Sequence, residues 1–186
     1  ELTHALRTSA GSHERFLVIE VFGRYAGYTA LLPTMGGAAD RCLIPEYPAD
    51  PDLLTQLLVH DYHKNASHYS VVLVSEGSTL VGDDTMSYVS VEEDQYGHRK
   101  LGGIGIRICD ELKARSASHN NGVQIDVLYQ KLGYVVRSGD PDALDSIVPM
   151  AFGNLAMELI QSGQTGKLVA VRNGLYDSVP IDVGVG

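Results

Sequence analysis

The residue with the clearest chemical potential is Arg24. It lies in the stretch Phe16-Leu-Val-Ile-Glu-Val-Phe-Gly-Arg-Tyr-Ala-Gly27, where Phe16 to Val21 is apolar apart from Glu20. That run reads as a buried strand. Gly23, Arg24 and Gly27 follow it, and an apolar helical pattern continues to Leu32. A strand that ends in a glycine turn and feeds a helix is where open α/β sheets bind ligands. A guanidinium in such a turn suits phosphate or carboxylate, because its planar fork donates two hydrogen bonds at once. A packing turn with a surface arginine would have the same local pattern.

Three further residues could join it. Glu76 follows the apolar run Tyr69 to Val74 in a Ser75-Glu76-Gly77 turn, and could accept hydrogen bonds from hydroxyls. A solvated turn acid is the more ordinary reading of that residue. Arg137 follows a third apolar run and stands just before a helix N-terminus, itself a favourable place for phosphate. Arg15 stands at the threshold of the first strand. Three arginines and one carboxylate acceptor fit a phosphate attached to a polyol, so the residues alone point to a sugar-phosphate-like site.

The elements that must position these side chains alternate in type. Residues 1–8 read as the tail of a helix, and Ser9 to Glu14 as a polar turn. A helix is expected from Ala26 to Met35, with Pro33 near its end and Gly36-Gly37 stopping it. Arg41 to Pro45 reads as a short strand. Asp50 can cap the next helix, with Pro51 at its first position, and Leu53, Leu54, Leu57 and Leu58 fall on one face. Tyr69 to Val74 is a strong strand. Gly82 to Lys100, with Asp83, Asp84, Glu92, Glu93 and Asp94, lacks periodicity and reads as a surface excursion. Leu101 to Arg115 is a helix, and Val123 to Val136 is apolar and partly alternating. A long helix is expected over Asp142 to Ile160, opened by Asp140-Pro141, with its early acids serving as caps. Leu168 to Val171 is a strand and Asn173-Gly174 a turn. The expected fold is α/β, a three-layer α-β-α Rossmann-like lobe with a mostly parallel sheet.

Composition narrows the function. The chain has 186 residues and a formal charge of −9, with 14 Lys and Arg against 23 Asp and Glu. Non-specific nucleic-acid binding depends on basic surface, so that class is a poor fit. An anion must be held locally by a few converging groups. The two cysteines, Cys42 and Cys109, have no metal-binding spacing and read as reduced, buried thiols of a cytosolic protein. No run of about 18 apolar residues is expected to span a membrane, and no secretory signal opens the sequence. The chain starts at Glu1 inside a helical pattern and stops at Gly186, so it is expected to be an excerpt of a longer polypeptide.

Other chemistries fare poorly. His60 and His63 lie one helical turn apart without a third ligand nearby, so no metal site is expected. There is no GxSxG elbow and no Walker A sequence. Leu101-Gly-Gly-Ile-Gly105 is not GxGxxG and is expected to follow no strand, which leaves it a weak nucleotide loop.

At these residues the sequence resembles the substrate-binding, C-terminal half of the 6-phosphofructokinase family. Glu20-Val-Phe-Gly-Arg-Tyr-Ala-Gly27 is similar to the family's E-V-M-G-R-x-A-G segment. Gly36-Gly-Ala-Ala-Asp40 with Ile44-Pro-Glu46 resembles G-G-A-D…I-P-E, and Val74-Ser-Glu-Gly77 its S-E-G turn. Leu132-Gly-Tyr-Val-Val-Arg137, with Asp142 to Asp145 after it, resembles L-G-[HY]-x-x-R and the acidic helix start. The match covers nearly the whole chain, so residues 1–186 would be the fructose 6-phosphate-binding lobe, with the donor-binding lobe upstream.

The resemblance implies roles. Phe22, Gly23 and Arg24 would lie against fructose 6-phosphate, Glu76 would accept from its hydroxyls, and Tyr134 and Arg137 would hold the 6-phosphate. Arg15 would reach into a neighbouring subunit's site, which implies a homo-oligomer. Arg24 would also be catalytic, meeting charge in the transition state, while the base and most ligands of Mg²⁺ would lie in the upstream lobe. Phe22 departs from the family Met. Tyr134 with Arg137-Ser138, Arg24-Tyr-Ala-Gly-Tyr28 and Leu32-Pro-Thr-Met35 look more like the pyrophosphate-using branch. The implied activity is phosphoryl transfer from pyrophosphate to the 1-hydroxyl of fructose 6-phosphate in the cytoplasm. An ATP-dependent enzyme and a non-catalytic, sugar-phosphate-binding regulatory lobe are the alternatives.

Overall fold

The computed structural model describes residues 2–83, 86–93 and 99–184. They form two compact units, divided after Val136. The first unit is built on a four-stranded parallel sheet of β1 (Phe16–Val21), β2 (Arg41–Leu43), β3 (Ser70–Ser75) and β6 (Val127–Lys131), in the order β2-β3-β1-β6. Every residue of β1 and β3 is buried. Their near-continuous apolar runs are what strands covered on both faces require.

The strand period of two divides the core. Phe16 and Val18 of β1 face a layer made by α3 (Pro51–Lys64) and α4 (Ile104–His119), through Leu54, Leu58, Ile104, Ile108 and Leu112. Leu17, Ile19 and Val21 face the other layer, where α1 (Leu2–Ser12) supplies Ala10 and α2 (Tyr28–Met35) supplies Ala30. The architecture is the expected three-layer α/β arrangement. Asp50 caps α3 by accepting from the Asp52 and Leu53 amides, with Pro51 in the first turn. Arg41 of β2 binds Asp61 of α3 through two hydrogen bonds of 2.7 and 2.9 Å.

Several boundaries differ from expectation. The first helix runs on to Ser12, through the Ser9 to Glu14 stretch that reads as a turn. Complete burial of Ala10 against β1 and its neighbours outweighs the weak helix propensity of Ser9, Gly11 and Ser12. The polar excursion contains an antiparallel pair, β4 (Tyr88–Glu93) with β5 (Arg99–Leu101); Asp84 and Asp94 lie outside the described residues. The glycine run Gly102-Gly103 therefore does follow a strand, but one in this separate pair rather than in the parallel sheet. Asp142, not Asp140-Pro141, opens the long helix, its side chain accepting from the Asp145 amide at 2.9 Å.

The second unit holds that helix, α5 (Ala143–Gln161), and a hairpin of β7 (Lys167–Arg172) and β8 (Leu175–Pro180). Asn173 and Gly174, with φ of 51° and 79°, make the two-residue turn. Phe152 of α5 meets Tyr176 of β8 edge-on at 5.9 Å. The expectation that no segment is apolar enough to span a membrane needs correcting. The 19 residues of α5 include a window of mean hydropathy 1.3. Pro149 and the acids Asp145 and Glu158 interrupt its apolar run in sequence without lowering the average enough. A core helix of a soluble protein passes the same test, so length and composition alone assign α5 no membrane.

The short 3₁₀ helix η1 (Gly133–Arg137) follows β6, and η2 (Ile181–Gly184) follows β8.

Candidate functional site at the carboxyl ends of the strands

The chain leaves β1 through α2 on one face of the sheet and leaves β3 through α4 on the other. Adjacent strands whose connections part in this way leave a crevice at their carboxyl ends, the usual ligand site of open α/β sheets. Phe22, Gly23 and Arg24 follow β1 at this point. Glu76 follows β3, whose Ser75 pairs in register with Val21. Tyr134 follows β6, the strand on the other side of β1. Parallel pairing thus carries these five residues to one end of the sheet.

Their turns are locked to one another by main-chain bonds. The Glu76 amide donates to the Val21 carbonyl at 3.0 Å, and the Gly77 amide to the Gly23 carbonyl at 2.9 Å. Gly23 has φ of +147°, a region side-chain-bearing residues rarely adopt. A Cβ on Gly77 would stand 1.9 Å from the Arg24 carbonyl oxygen. Gly77→Ala must therefore push the Glu76 turn away from the Arg24 turn. We expect it to lower stability by about 1–3 kcal/mol or more, in the range of overpacked sites. Thermal unfolding of the variant checks this, and an unchanged Tm would contradict the close approach.

The side chains at the crevice are accessible to a ligand. Phe22, Arg24 and Glu76 are half-buried, and Tyr134 is 79% exposed. The Phe22 and Tyr134 rings meet edge-on at 5.4 Å, an aromatic wall beside Arg24. Below it, the Ser75 and Ser78 hydroxyls are buried with no hydrogen-bond partner among the described residues. The turn is also tied to the next strand's end, because the Gly27 amide donates to Glu46 Oε1 at 3.0 Å. Thr29 Oγ1 donates to the Phe22 carbonyl.

One of the expected residues stands apart. Arg15 precedes β1, so the full strand, about 20 Å at roughly 3.3 Å per residue, separates it from Arg24. It pairs with Asp126 at 3.7 Å at the opposite end of the sheet. Arg137 closes η1 and is the first residue of the second unit.

One buried group was visible in the sequence only as an oddity. Glu20, the sole polar residue of β1, is fully buried. Its carboxylate accepts from Lys131 Nζ at 2.6 Å, from the Tyr129 hydroxyl at 3.0 Å and from the Gly105 amide at 3.0 Å. Burial, with the Glu20 charge beside it, pushes the Tyr129 hydroxyl well above the ordinary tyrosine range, so it remains a donor. Burial likewise pushes the Cys109 thiol up to about 12, which makes it a poor nucleophile. Cys42 is a half-buried free cysteine. His63, considered with His60, hydrogen-bonds Asn120 Oδ1 at 2.8 Å. Among the described residues, no three His, Cys, Asp or Glu side chains are grouped to hold a metal ion.

Comparison with known proteins gives a consistent result. The family model described as phosphofructokinase matches residues 1–160. The pyrophosphate–fructose 6-phosphate 1-phosphotransferase of Thermoproteus tenax is 33% identical over 181 residues, covering 97% of this chain and 49% of that protein. The ATP-dependent 6-phosphofructokinase of Corynebacterium efficiens is 32% identical over 181 residues, covering 97% of this chain and 50% of that protein. The chain thus spans about half the length of the curated relatives it matches. Among solved structures, phosphofructokinase from Saccharomyces cerevisiae shares the fold with a TM-score of 0.74 at 24% identity, over 99% of this chain and 22% of that one.

Proposed function

Because this chain belongs to the phosphofructokinase family, we propose that it is the fructose 6-phosphate-binding lobe of an enzyme that phosphorylates the sugar's 1-hydroxyl. The observation that carries this reading is the meeting of Phe22–Arg24, Glu76 and Tyr134 at the carboxyl ends of three neighbouring strands. In it, Arg24 supplies a guanidinium to the phosphoryl group in transfer, and Glu76 accepts from the sugar hydroxyls. Phe22 and Gly23 line the sugar. Tyr134 and Arg137 hold the 6-phosphate. Charge neutralisation and positioning do most of the work in such transfers.

The proposed donor is pyrophosphate, supported by Tyr134 with Arg137-Ser138 and by the segment Arg24 to Met35. Relatives of both donor classes are about equally similar, so the donor must be tested directly. Mg²⁺ would accompany the donor, with most of its ligands in the upstream lobe. Arg15 would serve the site of a second copy of the chain. The proposed compartment is the cytoplasm.

The deciding experiment is a steady-state assay of the full-length protein with fructose 6-phosphate and either donor, in the presence of Mg²⁺. We expect kcat/KM with pyrophosphate to exceed that with ATP by about tenfold or more. The reverse ratio would make the protein ATP-dependent. Binding of fructose 6-phosphate without turnover on either donor would leave a regulatory lobe.

A further inference from the structure

The buried Glu20 cluster has a geometry that local packing alone does not require. The carboxylate sits on a strand that is otherwise apolar and wholly buried. A charge there is costly unless it is paired and hydrogen-bonded. Three groups from two elements, β6 and α4, converge to meet that need. Lys131 is the last residue of β6 and pairs in register with Glu20. Tyr129 lies two residues earlier on the same face. The Gly105 amide belongs to the first turn of α4, a helix whose N-cap residue, Gly103, provides no side-chain cap. The carboxylate from β1 therefore caps α4 from a distance and meets the positive end of its dipole. Gly105 has no room for a side chain: a Cβ would stand 2.5 Å from Tyr129 and 2.8 Å from Glu20 Oε2.

The same residue holds the next segment through its backbone. The Leu132 amide donates to the Glu20 carbonyl oxygen at 3.0 Å. Leu132 leads directly into Gly133 and Tyr134, and the Val135 amide turns back to the Leu132 carbonyl at 3.1 Å. Two residues after Glu20, Phe22 meets the Tyr134 ring. Glu20 thus grips the chain on the Tyr134 side with both its side chain and its main chain. Its own strand ends one residue later and leads into the Phe22–Arg24 turn.

We infer that Glu20, clamped by Lys131 and Tyr129, is the positioning residue that sets Tyr134 against the Phe22–Arg24 turn, and so tunes affinity for the sugar phosphate rather than the donor. This rests on the function proposed above. Glu20 touches no substrate in it. Removing Lys131 would leave a buried carboxylate with one cation fewer, and the end of β6 would lose its anchor. Neutralising Glu20 at the same time removes the need for that cation, so the two substitutions should not add.

The test uses E20Q, K131M, the double variant E20Q/K131M and Y129F in the full-length protein, each checked for folding by thermal unfolding. K131M is expected to raise KM for fructose 6-phosphate about tenfold, with kcat and the donor KM within about twofold of wild type. Y129F, which removes a single hydroxyl, should raise it about threefold by the loss of one hydrogen bond. The double variant should be less impaired than the product of its single effects. Hydrogen exchange at residues 132–136, measured without substrate, should quicken in K131M and Y129F while β3 stays protected. Unchanged exchange and unchanged KM in folded K131M and Y129F would overturn the assignment. So would a parallel rise of both KM values, which marks a general structural role. Faster exchange in a protein that binds no fructose 6-phosphate would retain the clamp and overturn only the proposed substrate.

Discussion

Replacing Arg24 with alanine is expected to lower kcat for phosphorylation of fructose 6-phosphate by about 10²- to 10³-fold, the range seen when one preorganised group facing transition-state charge is lost. The expectation follows from where the residue is held. Arg24 is half-buried in a turn whose backbone is fixed on both sides. Gly23 gives the turn its left-handed backbone, and the Gly77 amide bonds to the Gly23 carbonyl. A guanidinium carried on so constrained a turn needs little reorganisation to meet developing charge. Arg24→Lys should recover little, because an ammonium cannot form the two parallel hydrogen bonds of the planar fork. Arg137→Ala provides the contrast. If that residue holds the non-reacting 6-phosphate, its loss should raise KM by about 10- to 150-fold, as for a charged hydrogen bond of about 1.5–3 kcal/mol, and spare kcat. Steady-state kinetics on the two variants separates the roles. An Arg24→Ala enzyme with wild-type kcat would remove Arg24 from the reacting centre.

How far these groups could be read from the sequence depended on whether their signal was local. Arg24 and Glu76 each follow a strand within a few residues, and β1 and β3 are apolar enough to be read without a partner. The Asp50-Pro51 helix start and the Asn173-Gly174 turn are likewise written in adjacent residues. Glu20 was legible as an anomaly, a charge inside an apolar run. Its partners were not, because Gly105, Tyr129 and Lys131 lie 85, 109 and 111 residues away and no spacing rule links them. The extension of α1 to Ser12 depends on Ala10 reaching the core, a tertiary effect that overrides propensity. The one alternation in the β4–β5 pair, Val89-Ser90-Val91-Glu92, is brief and set among charged residues, so the stretch as a whole reads as a loop. The close approach of Gly77 to Arg24 could not be read either, since it exists only once β1 and β3 are side by side.

The position of Arg15 leads to the second large effect. Arg15 and Arg24 are at opposite ends of β1, which makes it hard for both to serve one crevice of the same chain. If Arg15 serves the site of a neighbouring copy, as proposed, Arg15→Ala and Arg24→Ala damage different halves of a shared site. Each homogeneous variant then has every site broken. In a symmetric pair containing one copy of each, one site carries both substitutions and the other carries neither. Random reassembly of equal amounts makes half the pairs mixed, so about a quarter of all sites should regain wild-type composition. Two preparations that are each nearly inactive should therefore recover about a quarter of wild-type activity after dissociation and reassembly together. The measurement is initial rate at fructose 6-phosphate below the wild-type KM, where loss of a substrate contact shows as lost rate, with each variant reassembled alone as the control. Activity in the mixture no greater than the mean of the two controls would mean that Arg15 does not complete a neighbour's site. Its pairing with Asp126 at 3.7 Å, with both side chains partly exposed, would then be its main role, and an ion pair of that kind contributes only about 0–1 kcal/mol.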